Sequence, residues 1–255
     1  MYYQYIKTKD SAPTVCLIHG FLGTQNDWNS VTTALQHDVN LLLIDIPGHG
    51  KSDGDASLGF SMIAYRLSQI LKHEHIDRIV LVGYSLGGRI ARHFAHHYPI
   101  YIRHLILIST HLGLSTPQER LDRAYSDDQM SQRLMAIPWY QFLSEWYDSP
   151  LFNRLKLSGH YDRIVADRCL QSPHLLSHVL LKLSLSNQPL YTSLSAPFPI
   201  DYLCGRHDSK FYQLSLQYAS FLSVHSHPDA DHAVHLTHPE WISSFLDQIL
   251  IPLQV

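Results

Sequence analysis

Residues 79–99 read IVLVGYSLGGRIARHFAHHYP. An apolar run breaks at Gly83-Tyr84-Ser85-Leu86-Gly87 and resumes with helical spacing. The pattern predicts a strand, a tight turn and a helix, with a serine at the bend. Such a turn is strained and brings the helix close to the sheet, so its flanks must be small, which Gly83 and Gly87 provide. The turn lifts the Ser85 hydroxyl above the sheet. It leaves the Leu86 N–H at a helix N-terminus, where developing negative charge is favoured.

Outward from this turn the chain alternates. Near-continuous apolar runs at 14–20, 40–46, 78–84, 102–110 and 199–205 read as strands covered on both faces. Helical patterns fall at 26–36, 60–75, 86–98, 209–221 and 239–250, and MYYQYI at the start adds a candidate edge strand. Strand–helix alternation at this spacing predicts an α/β fold with a mostly parallel sheet flanked by helices. The alternation stops after 110 and resumes at 198. Prolines at 117, 138, 150, 173 and 189 cut the intervening stretch into short helices. The expected organisation is a core of residues 1–110 and 198–255 with a helical lid insertion at 111–197. Ligands of open α/β sheets bind at the strands' carboxyl ends, so the lid would cover the site.

Composition excludes several functions. With 45% hydrophobic residues, 16% charged residues and a net charge of −3, the chain carries no basic surface for nucleic acid. No apolar run is long enough to span a bilayer, and MYYQYIKTKDSAP lacks a signal-peptide pattern, so a cytoplasmic location is expected. Cys16, Cys169 and Cys204 are far apart and without metal spacing, which reads as reduced, buried or half-buried thiols. The sequence carries no signal for oligomeric state.

A nucleophilic serine needs an acid and a histidine later in the chain. Asp208 lies just past a predicted strand in YLCGRHDSKF, a better position than Asp201 within it. Five histidines follow: 225, 227, 232, 235 and 238. His232 is preferred because it falls on a loop between the last strand and the final helix. LIHGFLG (17–23) places a turn after a central strand, so the Phe21 N–H joins that of Leu86 as an oxyanion hole. HSHPDADH resembles a dizinc signature, but Ala230 and Asp231 break its spacing. GHGKS (48–52) lacks the earlier glycine of a phosphate loop, since Asp45 stands there. DIPGHGKSDG (45–54) reads instead as a glycine-rich turn.

These motifs together resemble the α/β-hydrolase superfamily over essentially the whole chain. GYSLGGR, EWYDSPLF (145–152) and YLCGRHDSKF resemble one branch, the 2-succinyl-6-hydroxy-2,4-cyclohexadiene-1-carboxylate synthases of menaquinone biosynthesis. The resemblance implies a lyase that eliminates pyruvate from an enolpyruvyl cyclohexene, with no cofactor. It implies that His232, held by Asp208, takes the proton of Ser85, whose oxygen then acts as base toward carbon. It also implies a small polycarboxylate substrate held by Arg89, Arg123 and Arg168, with Trp146 from the lid and Tyr84 beside the serine. Lys210 reads as a solvated residue at a helix start. Many relatives carry glycine where this chain has Asp231, whose carboxylate either raises the pKa of His232 or faces solvent. A carboxylester or thioester hydrolase with the same triad is the alternative, and a non-catalytic receptor a third. Cations lining the cleft, rather than an apolar channel, would separate lyase from hydrolase.

Overall fold

The apolar runs become neighbouring strands in the computed structural model, which describes residues 1–52, 54, 56–191 and 196–253. The strands are β1 (Tyr3–Ile6), β2 (Thr14–Ile18), β3 (Asn40–Ile44), β4 (Ile79–Tyr84), β5 (Ile102–Ile108), β6 (Ile200–Gly205) and β7 (Ser223–His227). Among the described residues they form one sheet in the order β1-β3-β2-β4-β5-β6-β7. β1 is the antiparallel edge, and every other pairing is parallel.

Every residue of β2, β4 and β6 is buried, as a sheet covered on both faces requires, and Asp201 within β6 pairs with His104 and His225. Alternate side chains feed opposite faces. Cys16, Ile18 and Leu81 enter one core cluster, while Val15, Leu17, Val80 and Val82 enter the other. The first face is covered by α2 (Phe60–His73) and α3 (Leu86–His97), which follow the short α1 (Asn29–Thr33). In α2, Phe60, Ile63, Ala64, Leu67 and Leu71 bury one helical stripe.

Among the described residues, five α-helices lie between β5 and β6: α4 (Pro117–Ala136), α5 (Trp139–Tyr147), α6 (Asn153–Leu157), α7 (Tyr161–Cys169) and α8 (Pro173–Lys182). The prolines start helices rather than merely interrupting them. Pro117 and Pro173 stand in the first turns of α4 and α8, where the absent N–H has no helical partner to lose. Thr116 and Glu119 close a capping box on α4, worth about 1 kcal/mol. α4 runs for 20 residues, longer than the short helices expected, because no proline falls between 117 and 138. Residues 192–195 of the inserted stretch, and Asp53 of the glycine-rich turn, lie outside the described residues. The chain ends through α9 (Ser209–Tyr218), α10 (Val234–Thr237) and α11 (Pro239–Leu250). No described helix is long and apolar enough to cross a membrane. Cys16 and Cys204 are buried, but Cys169 is exposed at the end of α7, contrary to expectation.

Candidate active site

Ser85 joins β4 to α3 with φ 50° and ψ −108°. This left-handed backbone costs an L-residue about 1–3 kcal/mol and persists only when its surroundings fix it. Here the Ser85 N–H donates to the Ile108 carbonyl at 2.8 Å, and its carbonyl accepts from Thr110 Oγ1 at 2.7 Å. A Cβ on Gly83 would run into the Gly87 carbonyl, and one on Gly87 into the carbonyls of Ile18 and His19. The glycines let helix and sheet close around the serine.

The Ser85 hydroxyl lies within hydrogen-bond distance of His232 Nε2, at 3.2 Å. His232 Nδ1 donates to Asp208 Oδ2 at 2.6 Å, which fixes the tautomer. Asp208 is fully buried just past β6, and its Oδ1 accepts from the Phe211 N–H at 3.1 Å. The rings of Phe211 and Phe152 pack on His232 with centroids 4.7 and 5.9 Å away. The imidazole is thus held on both of its nitrogens and by its neighbours.

A buried histidine orients the opposite loop. The Ile46 N–H donates to His19 Nε2 at 3.0 Å, leaving the proton on Nδ1 to donate to the Gly20 carbonyl at 2.7 Å. That carbonyl also accepts from Gly23 N at 3.0 Å. A trans peptide sends its N–H opposite to its carbonyl, so the Phe21 N–H turns away from both donors. Burial pushes the His19 pKa down to about 3, so the ring stays neutral for this role. Leu22, at φ 65°, is held by its N–H on His49 Nε2 at 3.1 Å. Leu86 starts α3, where its N–H has no intrahelical acceptor.

Phe21, Ser85, Leu86 and His232 line one cavity of about 220 Å³. Trp146, Leu151, Phe152 and Leu180 form its apolar wall, and Arg89, Arg123, Asp127 and Lys210 its charged one. Arg123 Nε pairs with Asp127 at 2.8 Å. Arg89 Nη1 donates to the Leu183 carbonyl at 2.8 Å, and burial, reinforced by Arg123, pushes its pKa down to about 9. A larger groove of about 570 Å³ lies at the strands' other end, lined by Thr14, Asn40 and Arg78. It contains none of the serine, histidine or acid and stands apart from this chemistry.

An α/β hydrolase fold model matches residues 13–239. The chain belongs to the α/β-hydrolase fold family. It is 35% identical over 244 residues to 2-succinyl-6-hydroxy-2,4-cyclohexadiene-1-carboxylate synthase of Enterobacter sp. (strain 638), covering 95% of this chain and 93% of that one. Its identity to the synthase of the same name from Klebsiella pneumoniae is 34%, covering 93% and 94%. Among solved structures, MenH from S. aureus superposes with a TM-score of 0.91 at 24% identity over 99% of both chains. A Thermogutta terrifontis esterase, solved with malate bound, superposes with 0.80 at 20% identity, covering 100% of this chain and 94% of that one.

In this α/β-hydrolase, two residues expected at the substrate do not line the cavity. Arg168 is buried and contributes nothing to the cavity lining. Its Nη2 spans both Asp27 oxygens at 2.8 and 2.7 Å, and its Nε reaches the Tyr147 hydroxyl at 3.3 Å. Burial opposes this guanidinium, yet the Asp27 charge holds it above its ordinary range. A buried carboxylate on the 25–28 turn needs a partner, and Arg168 supplies it. Tyr84, the last residue of β4, is buried behind the site, its ring 5.2 Å from that of His232. It also stays out of the lining.

Asp231 does not face solvent. It is fully buried, and its Oδ2 accepts from the N–H groups of Arg154 and Leu155 at 2.7 and 3.2 Å, capping α6. The His232 N–H in turn donates to the Leu151 carbonyl at 3.2 Å. The histidine loop is thereby tied to the segment that carries Leu151 and Phe152 into the cavity. Lys210, expected to be solvated at a helix start, lines the cavity, and in the sequence only its position two residues after Asp208 points there. The histidine-rich stretch disperses: His225 pairs with Asp201, and the His227 Nδ1 accepts from Asp229 N. No described cluster of three or more His, Cys, Asp or Glu residues is placed to hold a metal.

Proposed function

We propose that this protein is a pyruvate-eliminating lyase. Its substrate would be 2-succinyl-5-enolpyruvyl-6-hydroxy-3-cyclohexene-1-carboxylate and its product 2-succinyl-6-hydroxy-2,4-cyclohexadiene-1-carboxylate. The relatives' names suggest the reaction, and the observation that carries it to this chain is the cavity. A Ser–His–Asp arrangement opens beside Arg89 and Arg123, where a polycarboxylate needs its countercharges.

The chemistry follows from the two ring systems. Removing the proton at C2, beside the succinyl ketone, sends its electrons toward the carbonyl oxygen. The double bond moves from C3–C4 to C2–C3 and C4–C5, the C5–O bond breaks, and enolpyruvate leaves to become pyruvate on protonation. In this reading His232, oriented by Asp208, takes the Ser85 proton, and the serine oxygen removes the C2 proton. The N–H groups of Phe21 and Leu86 receive the charge that builds on the succinyl oxygen, a contribution of roughly 3–4 kcal/mol per donor. Trp146 and Phe152 exclude water from the carbanion. No covalent acyl intermediate forms.

The segment 111–197 acts as the lid in this account, and residues 1–110 and 198–255 as the core. The enzyme is cytoplasmic and takes a small polycarboxylate, with no part for nucleic acid. The apolar wall favours one second reading, hydrolysis of a carboxylester or thioester with Ser85 as nucleophile. The deciding experiment supplies the enolpyruvyl cyclohexene to purified protein and follows pyruvate and diene absorbance together. Equal rates of both support the lyase, and release of neither removes it.

A further inference from the structure

Beside Ser85 the cavity continues into a recess of about 60 Å³ that shares Arg89, Arg123 and Lys210 with the main space. His111 and Thr110, just past β5, line only the recess. Thr110 is committed to the Ser85 carbonyl. His111 is not: its Nδ1 accepts from the Gly113 N–H at 3.1 Å, so in the neutral ring the proton sits on Nε2. No acceptor for that proton, and no carboxylate within ion-pair distance of Lys210, is present among the described residues.

Arg89, Arg123 and Lys210 therefore line both spaces, and the carboxylate lining the main one, Asp127, is already held by Arg123. Like charges at close quarters raise the folded chain's energy unless an anion joins them. The mutual opposition is visible in the side chains themselves. Desolvation, then Arg123, lowers both Arg89 and Lys210, and desolvation, then Lys210 and Arg89, pushes His111 down to about 4. A fourth charge would worsen the repulsion, whereas a neutral N–H adds a directed donor without it.

We propose that His111 and Lys210 complete, with Arg89, a seat for one carboxylate of the substrate beside Ser85. The ammonium and guanidinium supply charge, and the His111 Nε2–H fixes the direction from which the carboxylate is held. The proposal rests on the lyase reading for its substrate but predicts anion binding by itself. It also adds a cationic contact at the cavity, whose lining Arg168, paired with Asp27, does not reach.

The test measures succinate binding by titration calorimetry, and separately KM and kcat for pyruvate release. The proteins are wild type, Lys210→Met, Lys210→Arg, His111→Leu and His111→Gln. Lys210→Met and His111→Leu should each weaken succinate binding about tenfold or more and raise KM by a larger factor than they lower kcat. The charge-keeping Lys210→Arg and donor-keeping His111→Gln should recover most of that loss, which separates the role from a folding defect. Succinate binding and KM indifferent to both positions would overturn the seat while leaving the lyase standing. Wild type that binds succinate through both residues but releases no pyruvate would retain the seat and remove the lyase.

Discussion

Replacing Ser85 with alanine removes one hydroxyl and leaves the turn, the cavity cations and the core in place. Pyruvate release should fall on the order of 10²–10⁴-fold with KM little changed, measured by coupled assay. Arg89→Ala removes a charged donor from the cavity wall, and KM should rise about 10–100-fold. Arg168→Leu is expected to act differently, because it strands Asp27 inside the fold. Urea unfolding should show a loss of about 3–5 kcal/mol, whereas a raised KM at unchanged stability would return Arg168 to the substrate. The serine was legible because its turn is a local pattern of strand, glycine, serine, glycine and helix. Asp208 and His232 were legible from chain order and from their places beside strands. Arg168 was not, since its partner Asp27 is 141 residues away and nothing local announces the pair. Lys210 and His111 were missed for a different reason: a lone lysine at a helix start or a lone histidine after a strand looks solvated until the fold brings others beside it.

Among the elements, the contact between the histidine loop and α6 carries the clearest consequence. Asp231 accepts two N–H groups at the start of that helix, and the neighbouring His232 N–H holds the Leu151 carbonyl. Asp231→Ala removes the acceptor of three N–H groups, those of Arg154, Leu155 and Ala233, at a cost of about 1–3 kcal/mol each where they stay buried. Melting temperature and kcat should fall together, and Asp231→Asn, which keeps an oxygen at the helix, should restore both. An Asp231→Ala protein that matches wild type in both would show the tie to be idle. The departure from glycine was readable, but its purpose was not, because the two α6 N–H groups it accepts from lie 77 and 76 residues away in sequence. The sheet was far easier to read. The parallel strands β2 to β6 are mostly buried, largely apolar runs, whereas the edge strand β7, SVHSH, is half-buried and carries no such run, and the observed ends fall short where the chain leaves the ladder for a turn, as at His19-Gly20. The helix pattern after residue 110 gave the existence of α4 to α8 but not their packing, which depends on long-range contacts.

For the molecule as a whole, acid is the weak condition. His19, His49, His93 and His235 are all buried, and burial pushes His19 to about 3, His93 to about 4 and the other two well below their ordinary value. A histidine whose pKa is depressed on folding stabilises the fold above the unfolded pKa of about 6.5, and that contribution is lost as pH falls below it. By pH 5 each ring costs about 2 kcal/mol, so the four together approach the whole stability of an ordinary domain. Thermal melts should therefore drop steeply between pH 7 and pH 5. A melting temperature that stays level over that range would contradict the burial of these rings.

The central claim, that this triad serves elimination rather than hydrolysis, is tested most directly by one paired rate measurement. The same purified protein is given the enolpyruvyl cyclohexene in one arm and a short p-nitrophenyl ester in the other, and kcat/KM is compared. The account predicts pyruvate release faster than ester cleavage by orders of magnitude, and lost in Ser85→Ala. Ester cleavage through Ser85 with no pyruvate would contradict it and make the cations of the cavity answer to another substrate.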